Sequence, residues 1–411
     1  MNDRDRSVAT FTGLGHGTMH GYEFAIPVFV PLWLAEFGVS ATTLGAVAAV
    51  GFAMIGGFAP VAGALADRWG SRRLVLVSIA GMGLAFGALA LVETVIGLAA
   101  VLLCWGLAAS LYHPAGLSLI SRSADRRGTV LALHGVGGNV GTVVIPVLAV
   151  VLLAIADWRS AALGLAVVAT LPLLAGVVLP IAEPRHGTDS AGWRPTAYLR
   201  SVRSLVVGAF ALLLAVQLLY GTYYRGVVTF LPDVLGSLAV FEALAIGSLD
   251  LETAQIAYMV LLLVGAVGQY AGGVASDRVR PERVLVVILL VLAALGPAFI
   301  GATALGAMAV LAICALLGLF LFAVAPVGQH LVAEYTPEGS HGTSFGVVYF
   351  GIFGVGAVGA ALAGALLDGG GLWALFGGLG IVVLFAAGLA AVLLVRYGRD
   401  RHRFGGSPAR A

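Results

Sequence analysis

Ionisable residues in this chain occur in clusters that are separated by long apolar segments. From Val284 to Ala333, fifty consecutive positions hold no acidic residue and no arginine. Because a helix that crosses a bilayer needs about 20 apolar residues, this segment predicts two spans with a turn at 301–306. The same reasoning predicts twelve helical spans, at 10–35, 42–66, 73–92, 95–121, 128–154, 159–182, 204–232, 251–276, 283–301, 307–333, 343–367 and 372–395.

The composition places these helices in a membrane rather than in water. Of the 411 residues, 60% are hydrophobic and only 10% are charged, and the mean hydropathy is +1.04. A soluble domain carries about 25% charged residues, so a soluble globular protein is excluded. The predicted fold class is an all-α membrane protein with twelve transmembrane helices in two pseudo-symmetric six-helix bundles.

A polar interval divides the predicted spans into two sets of six. Residues 184–203 hold two prolines, four arginines and Asp189, and they are predicted to form a cytoplasmic linker. The N-terminal bundle is then residues 1–183, the C-terminal bundle is residues 204–396, and residues 397–411 form a cytoplasmic tail.

The basic residues predict the orientation of the chain. All 22 are arginines, and 20 of them fall on one side of the predicted spans. Cytoplasmic loops retain basic residues during insertion, so both termini are predicted to be cytoplasmic, in the cell membrane. The net charge of only +2 argues against a nucleic-acid partner, and the absence of lysine excludes an ATP-binding loop ending in Gly-Lys-Ser/Thr. The expected partners are a small molecule and the lipid bilayer, and the expected assembly is a monomer.

Two segments repeat at a nearly constant distance along the chain. Asp67 and Asp277 occupy matching places after spans two and eight, 210 positions apart, and Pro114 and Pro326 recur in spans four and ten, 212 positions apart. This spacing predicts two parallel repeats, the arrangement in which one half rocks against the other around a central site.

The first of these segments resembles the signature loop of the major facilitator superfamily. It has the pattern G-x-x-x-D-R-x-G-x-R-R, formed by Gly63, Asp67, Arg68, Gly70, Arg72 and Arg73. The resemblance implies that these residues gate a conformational change through ion pairs that break and re-form. The second copy keeps Asp277 and Arg278 but lacks a glycine matching Gly70. The alternative is that the charges only stop translocation of the chain.

Four short segments resemble the fosmidomycin-resistance type of exporter within that superfamily. They are His20 with Pro27 and Pro31, Tyr112–Pro114, His134–Gly141, and Arg225 with Phe230–Pro232. This resemblance implies export of a small drug-like or metabolite molecule in exchange for protons.

Glu23 is a candidate for proton coupling because it lies near the middle of the first span. His16, His20 and Glu23 follow spacings of four and three, which place them on one helical face. An ionisable group in a membrane is costly and is by default functional. Glu23 could take up and release a proton as a cavity opens to either side. A permanently paired glutamate and a direct substrate contact are the alternatives.

Arg225 is the one arginine inside a predicted span, and it needs an anionic or carbonyl partner there. Spans one and seven are equivalent in the two repeats, so a pair between Glu23 and Arg225 across the cavity is expected. Protonation of Glu23 would then free Arg225 for an anionic substrate group. A static ion pair is the alternative.

Other polar residues in the spans are candidates for a proton path or a substrate surface. His113 and His134 lie at similar depths and could relay protons, or they could simply bond to helix backbone. Tyr22, Tyr112, Tyr224, Gln329 and His330 could line the substrate cavity, or pack. No cysteine or carboxylate accompanies the histidines at a ligand-like spacing, so neither a metal nor another cofactor is expected besides the coupling proton.

Three rival functions have different tests. A proton symporter that imports a small organic anion through Arg225 is the nearest, and the sequence does not exclude it. A membrane-embedded enzyme would use His113, His134 and Glu23, but no nucleophile constellation accompanies them. A receptor would bind a ligand without moving it, and no appended domain suggests one.

Overall fold

The computed structural model describes residues 1–183, 195–241, 243–246, 249–336 and 341–398. These residues are helical almost throughout. The exception is a short antiparallel hairpin, β1 (Ala243–Ile246) and β2 (Leu249–Glu252), in the connection before the eighth predicted span. Residues 184–194 of the predicted linker and 399–411 of the predicted tail lie outside the described residues.

The first part of the chain forms nine helices, and three pairs of them are consecutive segments of one interrupted helix. Single residues separate α2 from α3, α5 from α6 and α8 from α9, and the first of these pairs bends by 43°. The bounds are α1 (Asp3–Phe37), α2 (Ala41–Gly57), α3 (Ala59–Trp69), α4 (Ser71–Leu89), α5 (Val95–Ser110), α6 (Tyr112–Ser123), α7 (Arg127–Leu153), α8 (Trp158–Val168) and α9 (Thr170–Val178).

The second part begins with a helix in the predicted linker. It contains α10 (Pro195–Leu205), α11 (Gly208–Gly236), α12 (Thr253–Arg278), α13 (Pro281–Leu305), α14 (Ala307–Tyr335), α15 (His341–Tyr349), a π-helical segment (Phe350–Val355) and α16 (Val358–Arg396). Helix α16 is interrupted by non-helical backbone at Gly370 and Gly371. The turn predicted at 301–306 falls at Gly306, whose φ of 101° ends α13 and starts α14.

Membrane-length helices dominate the described part of the chain. Nine of its helical segments are long and apolar enough to cross a bilayer when α5 with α6, α8 with α9, and α15 through α16 are each counted as continuous, and the bent pair α2 and α3 makes a tenth candidate. The prediction of a helical, multi-pass membrane fold is therefore confirmed. Predicted span two is in fact two helices, because the chain breaks at Phe58 and Pro60 starts the second helix, where a missing N–H costs nothing.

Glycines allow the closest helix contacts. Along α1 and α7, Gly13 and Gly17 face Gly137 and Gly141, and a Cβ on Gly17 would stand 2.7 Å from the Gly137 carbonyl oxygen. In the second part, Gly221 of α11 lies equally close to Ile352 of the π-helical segment. Membrane helices associate through such small residues because backbones can then touch.

The predicted repeat has a counterpart in the packing. A Cβ on Gly63 of α3 would lie 4.0 Å from the Pro114 side chain of α6. A Cβ on Gly273 of α12 would lie 3.7 Å from the Pro326 side chain of α14. The same glycine and proline contact therefore occurs in both parts of the chain.

The distal end, defined here as the end opposite the chain termini, joins α2 to α16. Asp368 accepts hydrogen bonds from the backbone N–H of Ala41 at 3.1 Å, from that of Thr42 at 2.8 Å, and from the Thr42 hydroxyl at 2.6 Å. A carboxylate at a helix N-terminus satisfies free N–H groups and complements the helix dipole. Asp368 thus fastens the second part of the chain to the first.

Candidate functional site

A cavity of about 370 Å³ with both polar and apolar lining residues lies between the two parts of the chain. Helices α1, α6 and α7 line one side, and α11, α12, α14, α15 and the π-helical segment line the other. Its polar lining residues are His16, His20, His113, His134, Asn139, Thr142, Gln217, Gln269 and Gln329, and its aromatic ones are Phe24, Tyr220, Tyr224, Phe322, Phe345, Tyr349 and Phe353.

Beside this cavity, Glu23 and Arg225 form a buried ion pair. Nη2 of Arg225 donates to Oε1 of Glu23 at 2.5 Å, and each side chain is only 1% exposed. Glu23 is on α1 and Arg225 is on α11, so the pair crosses between the two parts of the chain. This is the contact that the equivalence of spans one and seven predicts.

The second oxygen of Glu23 connects the ion pair to the cavity. Nδ1 of His20 lies 2.9 Å from Oε2 of Glu23, and the His20 side chain is 19% exposed and lines the cavity. A carboxylate only accepts hydrogen bonds, so Nδ1 of His20 carries the proton. His20 is thus the group through which the cavity reaches an otherwise enclosed carboxylate.

Aromatic rings cover the guanidinium of Arg225. Its Cζ lies 3.8 Å from the centroid of the Phe52 ring and 5.3 Å from that of Tyr224. Nε and Nη1 have no hydrogen-bond partner among the described residues. The cation is therefore stabilised by one carboxylate and by ring faces, and two donor groups are left over.

Histidines His113 and His134 come together through a third histidine. The ring of His16 lies 4.0 Å from that of His134 and 5.2 Å from that of His113, and His20 lies 5.3 Å from His113. Its spacing along α1 predicts that His16 shares a helical face with His20 and Glu23. Its position between the two predicted relay histidines depends on how three helices cross.

Four of the remaining predicted substrate residues fall in three different places, and His330 lies in a fourth. Tyr224 and Gln329 line the cavity, and Nε2 of Gln329 donates to the Tyr349 hydroxyl at 3.3 Å. Tyr112 is buried behind the cavity, where its hydroxyl donates to the Thr12 carbonyl. Tyr22 packs on Phe86 and donates to the Leu165 carbonyl at 2.8 Å, inside the first part of the chain.

His330 follows Gln329 on α14 but is not among the residues that line the cavity. Its Nδ1 is 3.3 Å from the Ser276 hydroxyl and 4.0 Å from a carboxylate oxygen of Asp277. The second copy of the signature loop therefore has a histidine neighbour, while Arg278 is exposed.

The first signature loop is fastened to the end of α9. Gly70 has a φ of 90° between α3 and α4, a conformation that favours glycine. The backbone N–H groups of Ser71 and Arg72 donate to Glu183 at 2.8 and 3.0 Å, and Arg72 donates to the Gly176 carbonyl at 2.7 Å. Gly63 lies against Pro114, and Arg68 and Arg73 are exposed. The Asp67 side chain lies outside the described residues.

Sequence reasoning did not identify Glu183 or Asp368 as functional candidates. Glu183 also lies 3.6 Å from Arg122, which links α4, α6 and the segment after α9. Both carboxylates sit next to turns and look like ordinary loop charges in the sequence. Only their distant backbone partners, more than a hundred positions away, reveal them as caps.

A bundle of membrane-length helices around a central cavity defines a multi-pass membrane transporter, and comparisons with known proteins agree. Residues 12–249 and 235–410 match the Major Facilitator Superfamily, and the chain belongs to that family. Its fold and family are those of transporters rather than enzymes.

The chain is similar to named relatives over most of its length. It is 25% identical over 367 residues to the uncharacterized MFS-type transporter YfnC of Bacillus subtilis, covering 88% of this chain and 86% of that protein. Among solved structures, a bacterial homolog of the human lysosomal transporter Spinster, inward-facing and occupied, superposes with a TM-score of 0.76 at 16% identity over the whole of both chains. A mutant of the nucleoside transporter NupG gives a TM-score of 0.70 at 14% identity, covering 95% of this chain and 98% of that one. The two solved structures establish the fold alone.

Proposed function

We propose that this protein is a proton-coupled antiporter that exports a small drug-like or metabolite molecule by alternating access. The observation that carries the proposal is the Glu23 carboxylate, which is shared between Arg225 of the second part of the chain and His20 at the cavity surface. Enclosed on all other sides, this carboxylate can exchange a proton with the cavity through His20.

Protonation of Glu23 has a direct consequence for Arg225. Arginine keeps its charge in proteins, so neutralising Glu23 leaves a buried cation without its counter-ion. Breaking a buried pair in this way costs about 3–5 kcal/mol. This free-energy cost falls if α1 rearranges against α11 or if an anionic group binds Arg225. Proton uptake is thereby coupled to a change at the contact between the two parts.

The lining of the cavity suits a small amphipathic ligand. Its volume of about 370 Å³ falls in the range of ligand pockets, roughly 300–1,000 Å³. Aromatic faces offer stacking, and Asn139, Gln217, Gln269 and Gln329 offer both donors and acceptors. These groups favour a small molecule over a macromolecular ligand.

The complete membrane topology is part of the proposal. Ten candidate spans become twelve when α1, 35 residues long, is counted and α16 is divided at Gly370 and Gly371. The glycine and proline contact present in both parts supports two six-helix bundles, residues 1–183 and 204–396. We propose a monomer in the cell membrane with both termini in the cytoplasm, and no cofactor for proton exchange.

Two sets of contacts are positioned to change during alternating access. Asp368 holds α2 to α16 at the distal end, and Glu183 holds the signature loop at the terminal end. In the proposed cycle the Asp368 contact opens when the cavity faces outward. The signature residues Asp67, Arg68, Arg72, Arg73, Asp277 and Arg278 are proposed to gate the opposite movement.

A second function is favoured by the unpartnered donors of Arg225. Nε and Nη1 could receive a carboxylate or phosphonate of a substrate, as expected of a symporter that imports an organic anion. This alternative uses the same pair of residues, but a proton binds Glu23 and the anion binds Arg225 together, and both move in the same direction.

Proton release on ligand binding distinguishes the two functions. Purified protein in detergent at weak buffering would receive either anionic fosmidomycin or cationic tetraphenylphosphonium, while a pH dye reports protons and calorimetry reports binding. Antiport predicts about one proton released per bound molecule, and no release from Glu23→Gln.

The matched control is Glu36→Gln on the same helix. Glu36 forms an exposed ion pair with Arg159 at 2.9 Å, away from the cavity, so this variant should release protons like the wild type. Binding without release, or release that persists in Glu23→Gln, would reject Glu23 as the antiport site. Proton uptake with fosmidomycin would favour the symporter.

A further inference from the structure

Three histidines from two helices bring one ring nitrogen each close together at the cavity surface. They are His16 and His20 of α1 and His113 of α6, and one ring nitrogen from each lies within 4.8 Å of the others. All three line the cavity. A fourth histidine, His134 of α7, stacks on His16 with ring centroids 4.0 Å apart.

Hydrogen bonds fix which nitrogen of two of these rings is free. Nδ1 of His16 lies 2.8 Å from the carbonyl oxygen of His134, and Nδ1 of His20 lies 2.9 Å from Oε2 of Glu23. Carbonyl and carboxylate oxygens only accept, so both Nδ1 atoms carry the proton. Nε2 of each neutral ring then presents a lone pair.

The Nε2 atom of His16 is buried and has no hydrogen-bond partner among the described residues. A buried polar atom without a partner costs free energy unless a ligand supplies one. Here the atom presents a lone pair within a group of three imidazoles, so a hydrogen-bond donor or a metal ion would satisfy it.

We propose that His16, His20 and His113 form a cavity site for a divalent transition-metal ion of the Zn²⁺ class. Imidazole nitrogens suit zinc, copper and nickel, whereas magnesium and calcium prefer oxygen ligands. The sequence predicts no metal at these residues, because the ligands come from helices that are separated by about a hundred positions.

The groups behind the ligands are those that support metal-binding histidines elsewhere. Such a histidine almost always donates its second ring N–H to a carboxylate or a backbone carbonyl, which fixes the ring and raises its basicity. Glu23 does this for His20, and the His134 carbonyl does it for His16. Both are positioning groups, and neither touches the ion.

Small ring rotations complete the geometry. In a tetrahedral site with bonds of about 2.1 Å, ligand nitrogens stand roughly 3.4 Å apart. The nitrogens here, at most 4.8 Å apart, need to approach by up to about 1.4 Å. Three protein ligands leave a fourth position for water or a cavity ligand, as in an open metal site.

Direct binding of metal to the full chain tests the site. The protein would be purified with a tag that contains no histidine, and Zn²⁺ would be titrated against a competing chromogenic chelator. Co²⁺ would be added separately to record its visible absorption, which reports coordination number. We expect one ion per chain, a tetrahedral Co²⁺ spectrum and no response to Mg²⁺.

The variants His20→Gln and His113→Gln should each weaken Zn²⁺ binding by tenfold or more. Glu23→Gln should weaken it less, by up to about tenfold, since it removes a supporting group. The control His330→Gln changes a histidine beside Ser276 that lies outside the cluster, and its affinity should stay within twofold of wild type.

Two results would overturn the proposal. One is a wild-type protein that gives no tetrahedral Co²⁺ spectrum, a measurement that does not depend on any variant folding. The other is a Zn²⁺ affinity that is unchanged in His20→Gln and His113→Gln, which would assign the ion to other histidines. Neither result bears on antiport, because the test measures metal binding at equilibrium and not proton release.

Discussion

At the residue scale, the burial of the charged side chains of Glu23 and Arg225 carries a large electrostatic cost. Both side chains are almost fully enclosed, and each satisfies a charge that the membrane interior would otherwise penalise. His20 bonds to the second carboxylate oxygen of Glu23, and the ring of Phe52 lies against the guanidinium of Arg225. The pair therefore contributes to stability and to the proposed coupling at the same time.

Removing one member of this pair should destabilise the protein more than removing both. Arg225→Gln leaves a buried carboxylate and Glu23→Gln leaves a buried guanidinium, and each should cost about 3–5 kcal/mol. The double variant removes both charges and should recover at least half of one single loss. Thermal unfolding of the four proteins in detergent gives the coupling energy as a double-mutant cycle. Additive losses would mean that the two groups do not stabilise one another.

A second residue-scale prediction concerns Glu183. Its carboxylate receives the free N–H groups of Ser71 and Arg72 at the start of α4. Glu183→Ala should lower stability by about 0.5–2 kcal/mol, as for other lost helix caps. The control Glu93→Ala removes an exposed glutamate in a turn at the distal end, and its unfolding temperature should match wild type. Equal behaviour of the two variants would contradict a capping role.

At the element scale, glycine spacing decides how closely helices approach. Gly141 of α7 touches the backbone of Gly17 in α1 so closely that a Cβ would overlap it, whereas a Cβ on Gly135 of the same helix would meet nothing within 4 Å. The two glycines look alike in the sequence, since both belong to one glycine-rich run of span five.

Gly141→Ala and Gly135→Ala should therefore differ in stability. Overpacking typically costs about 1–3 kcal/mol, and we expect this loss for Gly141→Ala, because α1 must move away from α7. Gly135→Ala should be neutral or slightly stabilising, since alanine is the better helix former. Unfolding temperatures in detergent measure the stability of both variants. Equal losses would show that the close approach of α1 and α7 at Gly141 does not decide the difference.

At the scale of the whole molecule, the contact of Asp368 with Ala41 and Thr42 joins the two parts of the chain at the distal end. It is a capping interaction between the two parts of the chain, and its loss affects no residue of the cavity. Gly45 and Gly364 also bring α2 and α16 into direct contact, and the proposed outward-facing state requires the Asp368 contact to break.

Asp368→Ala should shift the population toward a state open at the distal end. Spin labels on Thr43→Cys and Trp373→Cys, both exposed positions on α2 and α16, would report the distance in a background without Cys104 and Cys314. We expect a longer distance component that grows in Asp368→Ala. Glu36→Gln removes a distal ion pair within the first part, and it should leave the distance distribution unchanged. A shift in both variants would point to general loosening.

Much of the architecture follows from the sequence because a membrane imposes few choices. A run of about 20 apolar residues must be helical there, since every backbone group needs an internal partner. The apolar segments therefore give the helices, and the repeated loops give the relation of the two parts. The interruptions within the predicted spans are harder to predict from the sequence. Phe58, Leu111 and Ala169 interrupt helices at positions where hydropathy stays high.

The sequence by itself determined the class of protein and the signature loop, because these depend on hydropathy and a local motif, and the internal repeat predicted the pairing of Glu23 with Arg225. Only the tertiary structure decided that His16 joins His20 and His113, that Glu183 caps α4, and that Asp368 joins α2 to α16. These contacts connect positions about a hundred or more apart, and they depend on how helices cross and rotate. Crossing and rotation follow from the packing of small residues along whole helices, and no local pattern contains that information.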